Sequence, residues 1–183
     1  MLKADLKPND LTPEVVLADA SVFRNLWRSF GSAVALIATE CEGGRHSMLA
    51  TAATSVSMDP PSLLVCVNRS ASAYPALKAR GAFSLGIMPS TSHAIGRAIA
   101  AATSAERFCH GNWDRLAGTG ETTDGLPWLL ETQATLFCTI ETSLDYGTHT
   151  IFVAKVVHAI GNCSSDPLLY CDGRYGRFNE IAV

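Results

Sequence analysis

Ser47-Met48-Leu49-Ala50-Thr51-Ala52-Ala53-Thr54-Ser55-Val56-Ser57 runs directly into Met58-Asp59-Pro60-Pro61, then Ser62-Leu63-Leu64-Val65-Cys66-Val67, then Asn68-Arg69-Ser70-Ala71-Ser72. The first stretch, dense in small side chains and hydroxyls, reads as one strand from Ser47 to Ser57. Asp59-Pro60-Pro61 ends it, because proline has no N–H to give a ladder. Ser62 to Val67 is the next strand. Asn68 to Ser72 joins a strand end to a helix start, which Ser72-Ala73-Tyr74-Pro75 opens with Pro75 in the first turn.

Working outward, the same period recurs. Ala33 to Thr39 is a short apolar strand that Glu42-Gly43-Gly44 turns back into Ser47–Ser57. Phe83 to Ile87 is another strand. Ala134 to Leu144 alternates, with Ala134, Leu136, Cys138 and Ile140 on one side and Thr135, Phe137, Thr139 and Glu141 on the other. Tyr146-Gly147-Thr148 connects it to Thr150–Ile160, which is apolar on both faces and therefore central. Leu168-Leu169-Tyr170 is a last short strand. Helices are read at two further places. Phe23, Leu26, Trp27 and Phe30 fall at i, i+3, i+4 and i+7, with Asp19 or Ser21 as N-cap and Gly31 as C-cap glycine. Ser90 or Ser92 caps a helix through Ile95 and Ile99. Residues 1–16 read as a loose arm, and Thr103 to Leu126 as loops. The expectation is one domain over 17–183, mainly β with at least six strands and flanking helices. A small barrel follows, since closure removes edge strands.

The 183 residues carry 14 Lys+Arg against 17 Asp+Glu, a net charge of −3, and only 17% are charged. That low charge fraction excludes disorder as the main state, and the slight acidity argues against a nucleic-acid binder. No apolar run reaches the roughly 18 residues of a membrane span. The charged N-terminus has no apolar core of a signal peptide, so the expected compartment is the cytoplasm. Cys41, Cys66, Cys109, Cys138, Cys163 and Cys171 include no CxxC pair and read as free thiols. His46, His93, His110, His149 and His158 lack metal-ligand spacing, so no metal is expected. There is no GxGxxG, P-loop, HExxH or GxSxG.

Two segments are more polar than a strand and its exit require. Small residues along Ser47–Ser57 would let a flat ligand approach the backbone; the same pattern suits a tightly packed strand with its hydroxyls in water. Asn68-Arg69-Ser70 and Ser72 converge on a helix start, which suits a phosphate; it equally suits an N-cap with a surface arginine. Arg107 is read as pairing with Glu106 or Asp114, ahead of touching a ligand phosphate, and Cys109 beside His110 as incidental.

Ser55-Val56-Ser57-Met58-Asp59-Pro60-Pro61 followed by Leu64-Val65-Cys66-Val67-Asn68-Arg69-Ser70 resembles the signature of the short-chain flavin reductases, the reductase partners of two-component flavin-dependent monooxygenases such as 4-hydroxyphenylacetate hydroxylase. Glu106-Arg107-Phe108 with Trp113, Gly147-Thr148-His149, Pro167 to Tyr170 and Gly173-Arg174-Tyr175 follow in the family's order. The resemblance runs from about Phe23 to Tyr175. It implies a flavin-binding split β-barrel, usually a homodimer, that moves hydride from NADH or NADPH to FMN or FAD and passes reduced flavin to a separate monooxygenase. It implies Thr51, Ala52, Ala53 and Ser55 along the flavin, Asn68, Arg69, Ser70 and Ser72 on its phosphate, and His149 and Tyr175 beside the nicotinamide nucleotide. Leu49 stands where the family often has threonine, and Thr148 where it often has aspartate. Two other readings are a split-barrel protein that keeps FMN bound and acts on another substrate, and a non-catalytic flavin-binding module.

Overall fold

The structure is a computed structural model that describes residues 15–161 and 165–181. Residues 1–14 of the expected arm, and Cys163, lie outside the described residues. The order is α1 (Ala20–Trp27), β1 (Ser32–Ala33), β2 (Ala35–Cys41), β3 (Gly44–Ala50), β4 (Ala53–Met58), β5 (Pro61–Asn68), α2 (Tyr74–Arg80), β6 (Ala82–Ile87), α3 (His93–Ala101), β7 (Trp113–Arg115), β8 (Pro127–Leu129), β9 (Ala134–Tyr146), β10 (His149–Gly161), β11 (Leu168–Cys171) and β12 (Arg174–Arg177). No helix among the described residues is long and apolar enough to cross a membrane.

Seven strands form one antiparallel sheet in the order β3-β2-β6-β9-β10-β5-β4. Its two edge strands, β3 and β4, are consecutive in the chain and joined only by Thr51 and Ala52. Three Cα–Cα steps span at most about 11 Å. The edges of a flat seven-stranded sheet would stand roughly 29 Å apart. The sheet therefore curls until its edges approach one another. The concave side is filled by Ile37 of β2, Leu63, Val65 and Val67 of β5, Phe83 of β6, Cys138 of β9 and Phe152 of β10. Ala73 and Leu77 of the α2 region join the same cluster. Each large side chain sealed there stabilises the fold by about 1.5–3 kcal/mol. Burial also pushes the Cys138 thiol up to about 12, so it stays protonated.

β10 lies between β9 and β5 as its two apolar faces require, and β9 buries both of its faces too. Phe137 points away from the main core and meets Trp128 edge-on, ring centroids 6.3 Å apart. Trp128 belongs to the β7–β8 ribbon, which covers that face. A third cluster sets Val34, Leu36 and Met88 against Ile99 of α3 and Leu168 of β11.

Several expectations need correction. Ser47–Ser57 is two strands, because the chain leaves the ladder with β2 at Ala50 and joins that with β5 at Ala53. The stretch Thr103–Leu126 is not all loop: it holds a 3-10 turn at Arg107–Cys109 and strand β7. Gly31 is not the C-cap of α1; the helix ends at Trp27, with Arg28 as its cap. Asp19 is the N-cap, accepting the N–H groups of Ser21 and Val22 at 2.8 Å each. Those bonds, the one from Val22 foremost, hold its carboxyl below the usual range. Ser92 stands at the N-cap of α3 as expected, but neither it nor Ser90 caps the helix through its side chain. Ser90 donates to Asp166 and Ser92 to the Glu131 carbonyl, tying the segment to its neighbours instead.

Gly86 shows how closely this sheet is covered. A Cβ at Gly86 would stand 2.5 Å from Thr132 Cγ2, and Thr132 is already fixed by the Leu129 carbonyl and Thr135. Gly86→Ala should destabilise by roughly 1–3 kcal/mol, read as a lowered midpoint in thermal or denaturant unfolding. A wild-type midpoint would show that Thr132 moves aside freely.

Candidate active site

The Thr51–Ala52 junction opens into a cleft of ≈ 900 Å³, the upper end of the range usual for small-molecule sites. Thr51, Ala52, Ala53 and Thr54 form one wall with Leu64 and Cys66 of β5. The Cys66 N–H donates to the Ala52 carbonyl at 2.9 Å, so β5 holds the junction although Thr51 and Ala52 belong to no strand. Short side chains leave that wall flat. The opposite wall is α1 and the β11–β12 turn, which contribute Phe23, Trp27, Phe30 and Tyr170. The α1 aromatics stack in series, Phe23 to Trp27 at 5.6 Å and Trp27 to Phe30 at 4.8 Å between centroids. A flat wall of small residues facing an aromatic one suits a planar, largely apolar ligand.

Ser55 lies further along β4, exposed, and does not line this cleft. Tyr175 is half-buried beside Tyr170, 5.3 Å between ring centroids, and lines a side cavity of ≈ 180 Å³ that Thr51 also borders. His149 is elsewhere. It pairs across the ladder with Asn68, its ring is exposed, and its Nδ1 lies 2.9 Å from the Thr148 hydroxyl. The two candidate nicotinamide contacts thus sit on different parts of the molecule, His149 at the Asn68 turn and Tyr175 beside the cleft.

The Asn68–Ser72 turn is largely satisfied from within. Asn68 Oδ1 accepts both the N–H and the hydroxyl of Ser70 at 2.9 Å. Arg69 donates from Nη2 to the Gly147 carbonyl at 2.6 Å, and its Nη1 lies 3.6 Å from Asp145. Its own N–H donates to the Thr148 carbonyl at 3.0 Å. Arg69 is therefore a brace between this turn and the β9–β10 turn.

Arg107 does not form the ion pairs first expected of it. It pairs with neither Glu106 nor Asp114. Glu106 accepts the hydroxyl of Thr103, which holds its carboxyl below the ordinary range, and Asp114 accepts the Arg115 N–H. Arg107 instead reaches inward, where its Nη1 donates to the Ser47 carbonyl and to Ser72 Oγ at 3.2 Å. Its Nε, and the hydroxyl of the buried Ser47, have no partner. Buried donors without acceptors are costly, so an anion at Ser72 would find a guanidinium and hydroxyls still to be satisfied. Ser47 precedes Thr51 by four residues, roughly 13 Å of extended strand. A molecule with a planar ring at one end and a phosphate at the other fits those two places.

The flavin reductase like domain family matches residues 27–179. The chain belongs to this family. It is 36% identical over 154 residues to the FMN reductase (NADH) RutF of Agrobacterium fabrum, covering 84% of this chain and 85% of the relative. It is 36% identical over 171 residues to the reductase component of the FADH2-dependent resorcinol hydroxylase of a Rhizobium species, covering 91% and 90%. In structure it is similar to the Streptomyces globisporus NADH:FAD oxidoreductase SgcE6 in complex with NAD and FAD fragments, with TM-score 0.80, 27% identity, and coverage of 92% of this chain and 100% of that one. The flavin reductase fold therefore extends over nearly all the described elements, cleft included.

The brace reading of Arg69 has its own test. The Arg69–Asp145 pair is exposed and contributes little, at most about 1 kcal/mol. Arg69→Ala should barely move the melting temperature yet speed amide exchange across the β9–β10 turn, where the Gly147 carbonyl loses its donor. Wild-type exchange there would show that the guanidinium does not hold the turn.

Proposed function

We propose that the protein is an NADH-dependent FMN reductase whose reduced product serves a separate flavin-dependent oxygenase. One observation carries the reading: the two-walled cleft at the β3–β4 junction lies four residues along the chain from Ser47, whose carbonyl accepts from Arg107, a guanidinium with an unpartnered Nε. Family membership supports flavin as the ligand. The names of relatives support the rest, NADH and FMN from the Agrobacterium enzyme and an oxygenase partner from the Rhizobium reductase component. The curled sheet is the split β-barrel of this reading, open where β3 and β4 approach without a ladder among the described residues.

Bound flavin supplies an acceptor for the hydride of the reduced nicotinamide. The chain supplies positioning. Ala52 and Ala53 keep the floor flat against the ring, and Thr51 and Thr54 border it with hydroxyls. Ser72 and Arg107 take the phosphate, while Asn68, Ser70 and Arg69 hold the turn that presents Ser72. Tyr175 and His149 are proposed to meet the nicotinamide nucleotide, and Ser55 to support the flavin strand from β4. The aromatic wall of α1 excludes water from the ring. Leu26 of α1, 70% exposed and outside the cleft lining, supports a homodimer.

Steady-state oxidation of NADH by the purified protein with added FMN tests this function. Multiple turnovers of free FMN are expected. A protein that holds flavin tightly and leaves NADH unoxidised would fit a storage module instead. Arg107→Ala should weaken FMN binding by tenfold or more, on the order of 1–3 kcal/mol for a charge-assisted bond. The same change should leave riboflavin, which lacks the phosphate, unaffected. Equal losses for both flavins would place the phosphate away from Arg107.

A further inference from the structure

The cleft carries charge that the flavin reading does not use. Among the described residues that line the cleft, the charged ones are Arg24, Arg28 and Asp172. Arg24 and Arg28 are four residues apart at the end of α1, hence on one face. Arg28 is fixed in place. Its Nε lies 3.3 Å from Asp172 Oδ1, and the Asp172 N–H donates to the Arg28 carbonyl at 2.7 Å. The thiol of Cys171 lies 3.5 Å from the Ser29 carbonyl, so the β11–β12 turn also caps the helix end. Gly173 leaves room for the guanidinium: a Cβ there, at a φ of +76°, would stand 3.0 Å from Arg28 Nη2. Arg174 meets the other Asp172 oxygen at 3.3 Å. Arg28 and Arg174 share one carboxylate, and Arg24 forms no ion pair among the described residues, so the side of the cleft lined by Arg24, Arg28 and Asp172 keeps a net positive charge, with the Arg28 side chain 52% exposed.

We propose that Arg24 and Arg28, with Arg28 positioned by Asp172 and Gly173, form the seat for the diphosphate of the nicotinamide dinucleotide. The proposal rests on the flavin reductase reading. Two guanidinium groups on one face, with a net positive charge between them and Asp172, offer charge-assisted donors to the two phosphates of a diphosphate. The chain has no GxGxxG turn to hold a diphosphate on backbone N–H groups. With the flavin phosphate at Ser72 and Arg107, and with FMN carrying no diphosphate, NADH is the ligand that brings one. Asp172 is a positioning residue in this scheme, and its own charge is spent on the two arginines it holds.

The test uses Arg28→Gln with FMN as acceptor and two hydride donors, NADH and reduced nicotinamide mononucleotide, which lacks the diphosphate and adenylate. The expected result is a KM for NADH raised about tenfold, with kcat within twofold. The KM for the mononucleotide and the FMN dissociation constant should stay at wild-type values. A rise of equal size for both donors overturns the proposal, as does an unchanged KM for NADH. A loss seen only when FAD replaces FMN also overturns it, since the arginines would then serve the diphosphate of FAD. If Arg28→Gln lowers the melting temperature by releasing Asp172, Arg24→Gln carries the same comparison with the Arg28–Asp172 pair intact. Wild-type protein that does not oxidise NADH with any flavin would sink the underlying function instead, and the two failures are thereby separate.

Discussion

Two residues join the two edges of a seven-stranded sheet, and most of this molecule follows from that. Thr51 and Ala52 cannot span a flat sheet. The strands between β3 and β4 must therefore coil, and the side chains on the inside must fill the space enclosed. Leu, Val and Phe at alternate positions of β5, β6 and β10 do so. The junction itself cannot be paired in regular fashion, since it serves two ladders at once. It is left as a short run of backbone whose side chains must be small. A ligand-binding cleft at this point is thus a consequence of how the sheet is wound, and the small residues are what the winding allows there.

The arginines of this molecule differ in how much of their hydrogen-bonding capacity the fold already uses. Arginines that meet a carboxylate and a carbonyl in one place, as Arg69 does with Asp145 and Gly147, have little left for a ligand. Arg107 reaches into a partly buried position with a donor unmatched, and the cost of that donor is what an anion would relieve. A guanidinium on the surface is a poor guide to a binding role; one drawn inward without enough acceptors is a better one.

The strand pattern was legible in the sequence because period-two alternation survives wherever one face is buried. It was legible for β9 as alternation, and for β10 as two apolar faces that signalled a central place in the sheet. The break at Thr51–Ala52 was not, because alternation continues through it and nothing in the residues marks a change of partner strand. The β7–β8 ribbon was hidden for another reason: three-residue strands fall below the length at which a period can be seen. The helix end at Trp27 was misplaced because Gly31 has the chemistry of a cap but the β11–β12 turn supplies the capping donor from 140 residues away. Of the site, Thr51, Ala52, Ala53 and Ser72 could be named through family resemblance. Arg24, Arg28 and Asp172 could not, since their meeting is a tertiary event. The signals present were the i, i+4 arginines and the Asp172-Gly173 pair, a hairpin signature.

Helix α1 buries none of its residues. It is attached through its C-terminal end, by the Asp172 N–H and the Arg28–Asp172 pair. Its local opening free energy is therefore small compared with that of the sheet, and it can melt without the core following. Anything that covers the helix, whether a ligand in the cleft or another surface on its outer face, stabilises the same element. Occupancy and association are then thermodynamically linked: each raises the affinity of the other by whatever helix ordering it has already supplied.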